Sequence, residues 1–136
     1  MRLPQRFYDE LVAHAESEPE QEVCGLVAGT DGLAERVYRT RNVAKTPAKL
    51  FQLHPKDFMD ALDDLEANDL DLIGFYHSHT HSSPYPSRTD VRDWNPEVYP
   101  DAIYFICSLA EPGHPAVRAF RFDRDVHLVE EPIEVV

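Results

Sequence analysis

Basic residues are in short supply. Lys and Arg together number 13 against 25 Asp and Glu, a formal net charge of −12. They nowhere gather into the patch that would neutralise a run of phosphates, which excludes nucleic acid as the main partner. The acidic balance suits a basic partner or a salty cytoplasm equally, and it says nothing about the fold. Cysteine is scarce too: Cys24 and Cys107 both sit in apolar, strand-like runs. Two thiols are too few for a disulfide framework, so they are expected as buried free cysteines. No apolar run approaches the length of a membrane span, and the N-terminus carries no signal-peptide apolar core. A membrane is therefore not expected as a partner, and the cytoplasm is the expected compartment. Internal repeats and low-complexity segments are absent as well.

What is present is enough for one domain over residues 1–136, since a chain of this size buries a core without staples. Phe7, Leu11 and Ala15 recur at four-residue spacing within Pro4 to Ser17, an amphipathic helix that ends before Pro19. His14 on it reads as a solvent-facing or internally satisfied histidine. Glu22 to Ala28 is a strand closed by Gly29, and a turn at Asp31-Gly32 leads into a second strand from Leu33 to about Thr40. The two form an antiparallel hairpin. Arg41 to Pro55 is irregular yet carries Leu50, Phe51 and Leu53; it is a short extended segment, a pinned connector or a flap over a site. His54 within it has no assigned role. Lys56 to Asn68 is a second helix, with Phe58, Leu62 and Leu65 on one face and a solvated acidic face opposite. Leu70 to Tyr76 is a buried strand expected to end at His77. Ala102 to Leu109 is a central strand, Ala116 to Asp123 a strand with one polar side, and Val126 to Val136 a last strand pair or edge strand marked by Pro132. This order gives an α/β layered fold around a mixed sheet.

The stretch His77 to Asp90 reads HSHTHSSPYPSRTD. Residues two apart on a strand share a face, so His77 and His79 can aim both imidazoles at one point. Asp90 follows eleven residues after His79, preceded by Ser87 in an S-x-x-D pattern. Two imidazoles and a carboxylate are the usual protein ligand count of a catalytic zinc, which keeps a fourth position for water. The S-x-x-D pattern is also a helix-capping box that needs no metal, and one short helix start can serve both ends.

The spacing H-x-H, seven residues, Ser, two residues, Asp resembles the motif of the JAMM (MPN+) zinc metalloproteases. Glu22 in QEVCGLVAG is similar to that family's upstream glutamate. The resemblance covers nearly the whole chain and is nearest to the small bacterial members that act on ubiquitin-like sulfur-carrier proteins, through HSHT and YPSRTDV. It implies a curved mixed β-sheet flanked by helices, of the JAMM/MPN, cytidine-deaminase-like type. It implies one zinc per chain held by His77, His79 and Asp90. Glu22 would be the general base and Ser87 the donor to the developing oxyanion. Its implied partner is a ubiquitin-like sulfur-carrier protein with a C-terminal Gly-Gly, cut after its last glycine to release cysteine or a conjugated lysine.

His81, two beyond His79, is expected to be a loop histidine near substrate, because a third imidazole would close the position that water needs. A general peptidase on short peptides and a metal-free binding scaffold of the same fold are the other readings; the scaffold would lack the ligands that this chain has. A thiol hydrolase using Cys24 is disfavoured by its apolar strand, where a thiolate is costly. A zinc nucleobase deaminase would need a P-C-x-x-C pair that the sequence lacks.

Overall fold

The computed structural model describes residues 1–136. Its elements run β1 (Arg2–Leu3), α1 (Gln5–Ser17), β2 (Cys24–Thr30), β3 (Leu33–Thr40), α2 (Pro55–Ala67), β4 (Asp71–His79), α3 (Arg88–Asp93), β5 (Ile103–Ser108), β6 (Ala116–Phe122), β7 (Leu128–Glu131) and β8 (Glu134–Val135). All eight strands join one sheet in the order β7-β6-β5-β4-β2-β3-β1-β8. β4 is central, antiparallel to β2 and parallel to β5. The β2–β3 hairpin turns through Asp31 and Gly32, both at positive φ.

β7 and β8 lie at opposite ends of the strand order, yet only Pro132 and Ile133 separate them in the chain. Glu131 and Glu134 are three Cα steps apart, at most about 11 Å, so the sheet must curl until its two edges approach. The N-terminal strand β1 lies between β3 and β8 at one end of this order. Glu134 N–H donates to Met1 O at 2.9 Å, and Val136 N–H donates to Leu3 O at 3.1 Å. Of the two readings of residues 126–136, a strand pair or an edge strand, the second holds: β7 and β8 are edge strands that do not pair with each other. β1 itself was not expected, because two residues carry no periodicity to read.

Alternation along β4 divides the core. Tyr76 faces the cluster of Leu11, Ala15, Val27 and Phe105, against which α1 packs. Phe75 faces the other way, towards Trp94, Tyr104 and Phe120, and touches Phe58 of α2 with ring centroids 5.7 Å apart. His77 and His79 share the Phe75 face by parity. β4 does not stop at His77 as expected. Ladder partners on both sides carry it on: Cys24 opposite His77, and Ser108 opposite His79. Gly25 keeps this part of the sheet tight, since a Cβ there would strike the Tyr38 carbonyl and the Tyr76 ring.

His14 is buried, not solvent-facing, and is satisfied: the Tyr76 hydroxyl lies 2.6 Å from its Nδ1. Burial, then the Arg39 charge, lowers its pKa from 6.5 to about 4, with Glu10 opposing. The folded state therefore favours the neutral ring. Its contribution to stability is complete above pH 6.5 and is lost as pH falls towards about 4. His14→Gln should flatten that part of the stability curve, measured by urea unfolding at stepped pH. Tyr76→Phe should cost about 1–3 kcal/mol at neutral pH by leaving a buried ring nitrogen without its partner. An unchanged pH slope in His14→Gln would show that another group titrates in this window.

Candidate metal centre and active site

The end of β4 and the start of α3 build the site. β4 fixes the two histidines on one face, with Ser78 between them on the other. Ser78 is fully buried; its Oγ accepts from Val23 N–H at 2.8 Å, and its own N–H donates to Val23 O at 3.0 Å. Glu22, the next residue, is thereby held beside the histidines although it lies two residues before β2. Ser78 was not singled out from sequence; the signal was a serine enclosed by the H-x-H pair.

α3 brings the carboxylate. Ser87 Oγ accepts from Asp90 N–H at 3.0 Å, and Ser87 N–H donates to Asp90 Oδ2 at 2.9 Å, a complete capping box. Both readings of the S-x-x-D pattern therefore meet in one side chain, because the cap orients Asp90 towards the histidines. Asp90 Oδ2 lies 3.2 Å from His77 Nε2 and 3.0 Å from His79 Nε2, and the two nitrogens are 3.1 Å apart.

That triangle has the dimensions of a metal site. Tetrahedral ligands at zinc bond lengths near 2.1 Å stand about 3.4 Å from one another. The protonation pattern also calls for a cation. His79 Nδ1 lies 2.7 Å from the Ser83 carbonyl, which only accepts, so Nδ1 carries the proton. In the neutral ring Nε2 then presents a lone pair to a carboxylate oxygen, and two acceptors face each other at 3.0 Å. A proton or a metal ion between them removes the conflict. Burial works to raise the Asp90 pKa, but the hydrogen bonds of His77 and His79 outweigh it and hold the carboxyl well below the usual range.

The other sequence candidates fall around this triangle. Glu22 is 8 % exposed, and its Oε1 is buried without a hydrogen-bond partner. Burial pushes its pKa up to about 7; His79 opposes this and Asp90 adds to it, so both side chains act on the glutamate. His81 stays outside the ligand cluster, exposed in a polar cleft of about 410 Å³ that Glu22, Lys49 and Thr80 also line. Cys24 is buried against Thr40, and burial pushes its thiol up to about 11, which makes it a poor nucleophile. Cys107 is pushed up to about 12 for the same reason, and both cysteines are free.

Two aromatic residues frame His77 and were missed as site residues. Phe51 stacks on its ring, with centroids 4.3 Å apart and planes at 19°. Trp94 meets it edge-on at 6.3 Å. Beyond them an apolar cavity of about 220 Å³, walled by Phe51, Phe75, Trp94, Tyr99 and Tyr104, reaches Asp90. Phe51 belongs to the 41–55 segment, which is pinned rather than loose: Arg41 forms a two-pronged pair with Asp57, at 2.9 and 3.0 Å. His54 also gains a role as the N-cap of α2.

Residues 4–123 match the family described as prokaryotic homologs of the JAB domain. The chain belongs to that family. As a JAB-domain protein it is 34% identical over 128 residues to the CysO-cysteine peptidase of Mycobacterium tuberculosis, covering 93% of this chain and 84% of that one. It is 36% identical over 107 residues to a desampylase of Haloferax volcanii, covering 74% of each. A solution structure of a Desulfitobacterium hafniense protein superposes with a TM-score of 0.85 at 32% identity, covering 99% of this chain and 92% of that one. The JAB fold is also shared, at a TM-score of 0.58 and 15% identity, with a structure described as a metalloprotease-like zinc site in the proteasome and signalosome; 100% of this chain and 97% of that one are covered.

Ser87→Ala keeps the backbone bond to Asp90 Oδ2 but removes the acceptor for Asp90 N–H. Loss of such a cap should lower stability by about 0.5–2 kcal/mol, measured by chemical unfolding. A variant as stable as the parent would show that α3 is held by its packing rather than by its cap.

Proposed function

We propose that this chain is a zinc-dependent hydrolase, one domain over residues 1–136, that cuts the amide bond after the C-terminal glycine of a small ubiquitin-like or sulfur-carrier protein. The carrier ends in Gly-Gly. The leaving group is an amino acid such as cysteine, or the lysine side chain of a conjugated protein. The proposed setting is the cytoplasm. The observation that carries the reading is the convergence of His77, His79 and Asp90 beside the unpartnered Glu22 Oε1. The family membership supports it, as do relatives that include a CysO-cysteine peptidase and a desampylase.

His77 Nε2, His79 Nε2 and Asp90 Oδ2 would hold one zinc per chain. Zinc there supplies Lewis acidity, polarising the scissile carbonyl and making water more acidic. Glu22 Oε1 takes the proton of the attacking water and returns it to the leaving nitrogen, from a buried position where no other hydrogen bond holds it. Ser87 Oγ already accepts from Asp90 N–H, so its own proton is free to be donated to the developing oxyanion. An extended tail would lie along the segment 41–55 by strand addition, and a groove that admits only Gly-Gly would explain selectivity with few contacts.

The purified protein should contain one zinc per chain by elemental analysis, and the His77→Ala, His79→Ala double variant should lose it. Full occupancy in that variant would overturn the ligand assignment. Glu22→Gln should fold and keep zinc while losing about 10²–10⁴-fold in hydrolysis, and Ser87→Ala about 10²–10³-fold. For substrate, one ubiquitin-like protein is offered in two forms, with cysteine on its C-terminal glycine and joined there to a lysine side chain. Release is followed by mass spectrometry, with processing of at least one form expected. Cleavage of unrelated short peptides but of neither form would make the chain a general peptidase.

A further inference from the structure

One side-chain amide ties the two halves of the site together. Asn42, half-buried at the end of the β2–β3 hairpin, uses all four of its hydrogen-bonding positions. Its Nδ2 donates to Glu22 O at 2.8 Å and to Leu50 O at 2.9 Å. Its Oδ1 accepts from Ala44 N–H and Gln52 N–H, both at 3.0 Å. Leu50 O and Gln52 N belong to the two peptide units that flank Phe51. The amide therefore grips Phe51 on both sides, and Phe51 lies flat on His77. The same amide holds the carbonyl of Glu22, whose N–H donates to Pro47 O in the same segment at 2.7 Å.

The geometry points to Asn42 as a positioning residue, which fixes Glu22 and the Phe51–His77 stack in one frame. It touches neither substrate nor ligand atom. Proton transfer requires the base to lie within hydrogen-bond reach of the water it deprotonates, and a displacement of about 1 Å can cost about 10²-fold in rate. Packing alone does not account for this choice of residue. An apolar residue of similar size would fill the volume but leave two carbonyls and two N–H groups without partners. Aspartate would keep the acceptor and turn an oxygen towards two carbonyls. Only a side chain with a donor pair and an acceptor pair closes all four bonds.

This inference rests on the reading of Glu22 as general base, and the test separates the two. Asn42→Ala and Asn42→Asp are prepared with Glu22→Gln and the Glu22→Gln, Asn42→Ala double variant. Hydrolysis is followed on the carrier bearing a C-terminal cysteine, with zinc content and amide hydrogen exchange over residues 42–53 measured on the same samples. In Asn42→Ala, exchange over that segment should speed up, zinc should stay at the parent's content, and kcat should fall about 10–100-fold. Asn42→Asp should keep the Ala44 and Gln52 amides protected yet lose kcat to a similar extent, because it lacks the donor to Glu22 O. Added to Glu22→Gln, Asn42→Ala should cost little more, since both act through one group. A parent-like kcat in both Asn42 variants, or a full additional loss on top of Glu22→Gln, would overturn the positioning role. Glu22→Gln active within a few-fold of the parent would instead overturn the assignment of the base.

Discussion

Two imidazole nitrogens and a carboxylate oxygen are held within about 3 Å of one another by the fold, and the His79 tautomer sets an acceptor against an acceptor unless a cation lies between them. This is the constraint on which the rest of the structure depends. A carboxylate oxygen and two imidazole nitrogens do not converge in a buried place by hydrophobic packing, which would rather keep them apart. Each is pinned from behind by a bond that has nothing to do with the others. The Ser83 carbonyl sets the tautomer of His79, the capping box sets Asp90, and the Phe51 ring sets the plane of His77. The polar cluster is then a local minimum imposed by its surroundings, and the energy that imposes it comes from the sheet.

β4 carries both functions at once. Its odd-numbered residues run from Phe75 in the aromatic cluster to His77 and His79 in the site, while Tyr76 anchors α1 on the opposite face. Strands on both sides lock its register, so a slip by one residue would send the histidines to the α1 side. The parallel partner β5 and the antiparallel partner β2 hold β4 on both sides, a suitable place for a histidine pair that tolerates little displacement. The sheet curls so that β7 and β8, at opposite ends of the strand order, are joined by only two residues, with β1 inside β8 at that edge.

The convergence of His77, His79 and Asp90 was legible in sequence because its information is local. A two-residue period puts His77 and His79 on one face, and S-x-x-D announces the helix that carries Asp90. The hairpin, both long helices and the mixed sheet followed from periodicity and turns in the same way. Glu22 was legible only through resemblance, since a glutamate before an apolar run looks like any strand-end charge until Ser78 is seen holding its neighbour. Phe51 and Trp94 were not legible as site residues: their contacts with His77 depend on how irregular segments fold back, and no period records that. β1 was too short to leave a pattern, and β4 was expected to end early because polarity at His77 looks like a terminus when the neighbouring strands are unknown.

The pinned 41–55 segment bears on how such a site can be remodelled. A wall that is also bolted to the machinery cannot be exchanged as a free cassette. A graft replacing residues 42–53 with a longer or differently shaped arm would change what the groove admits. It would also release the carbonyl of Glu22 unless the incoming arm carried an amide at the same place. Diversification of this scaffold is thus channelled: an insertion between Ala44 and Lys49 must spare the Pro47 carbonyl that accepts from Glu22 N–H, and changes at either foot of the arm disturb the Asn42 bonds that hold the Glu22 carbonyl.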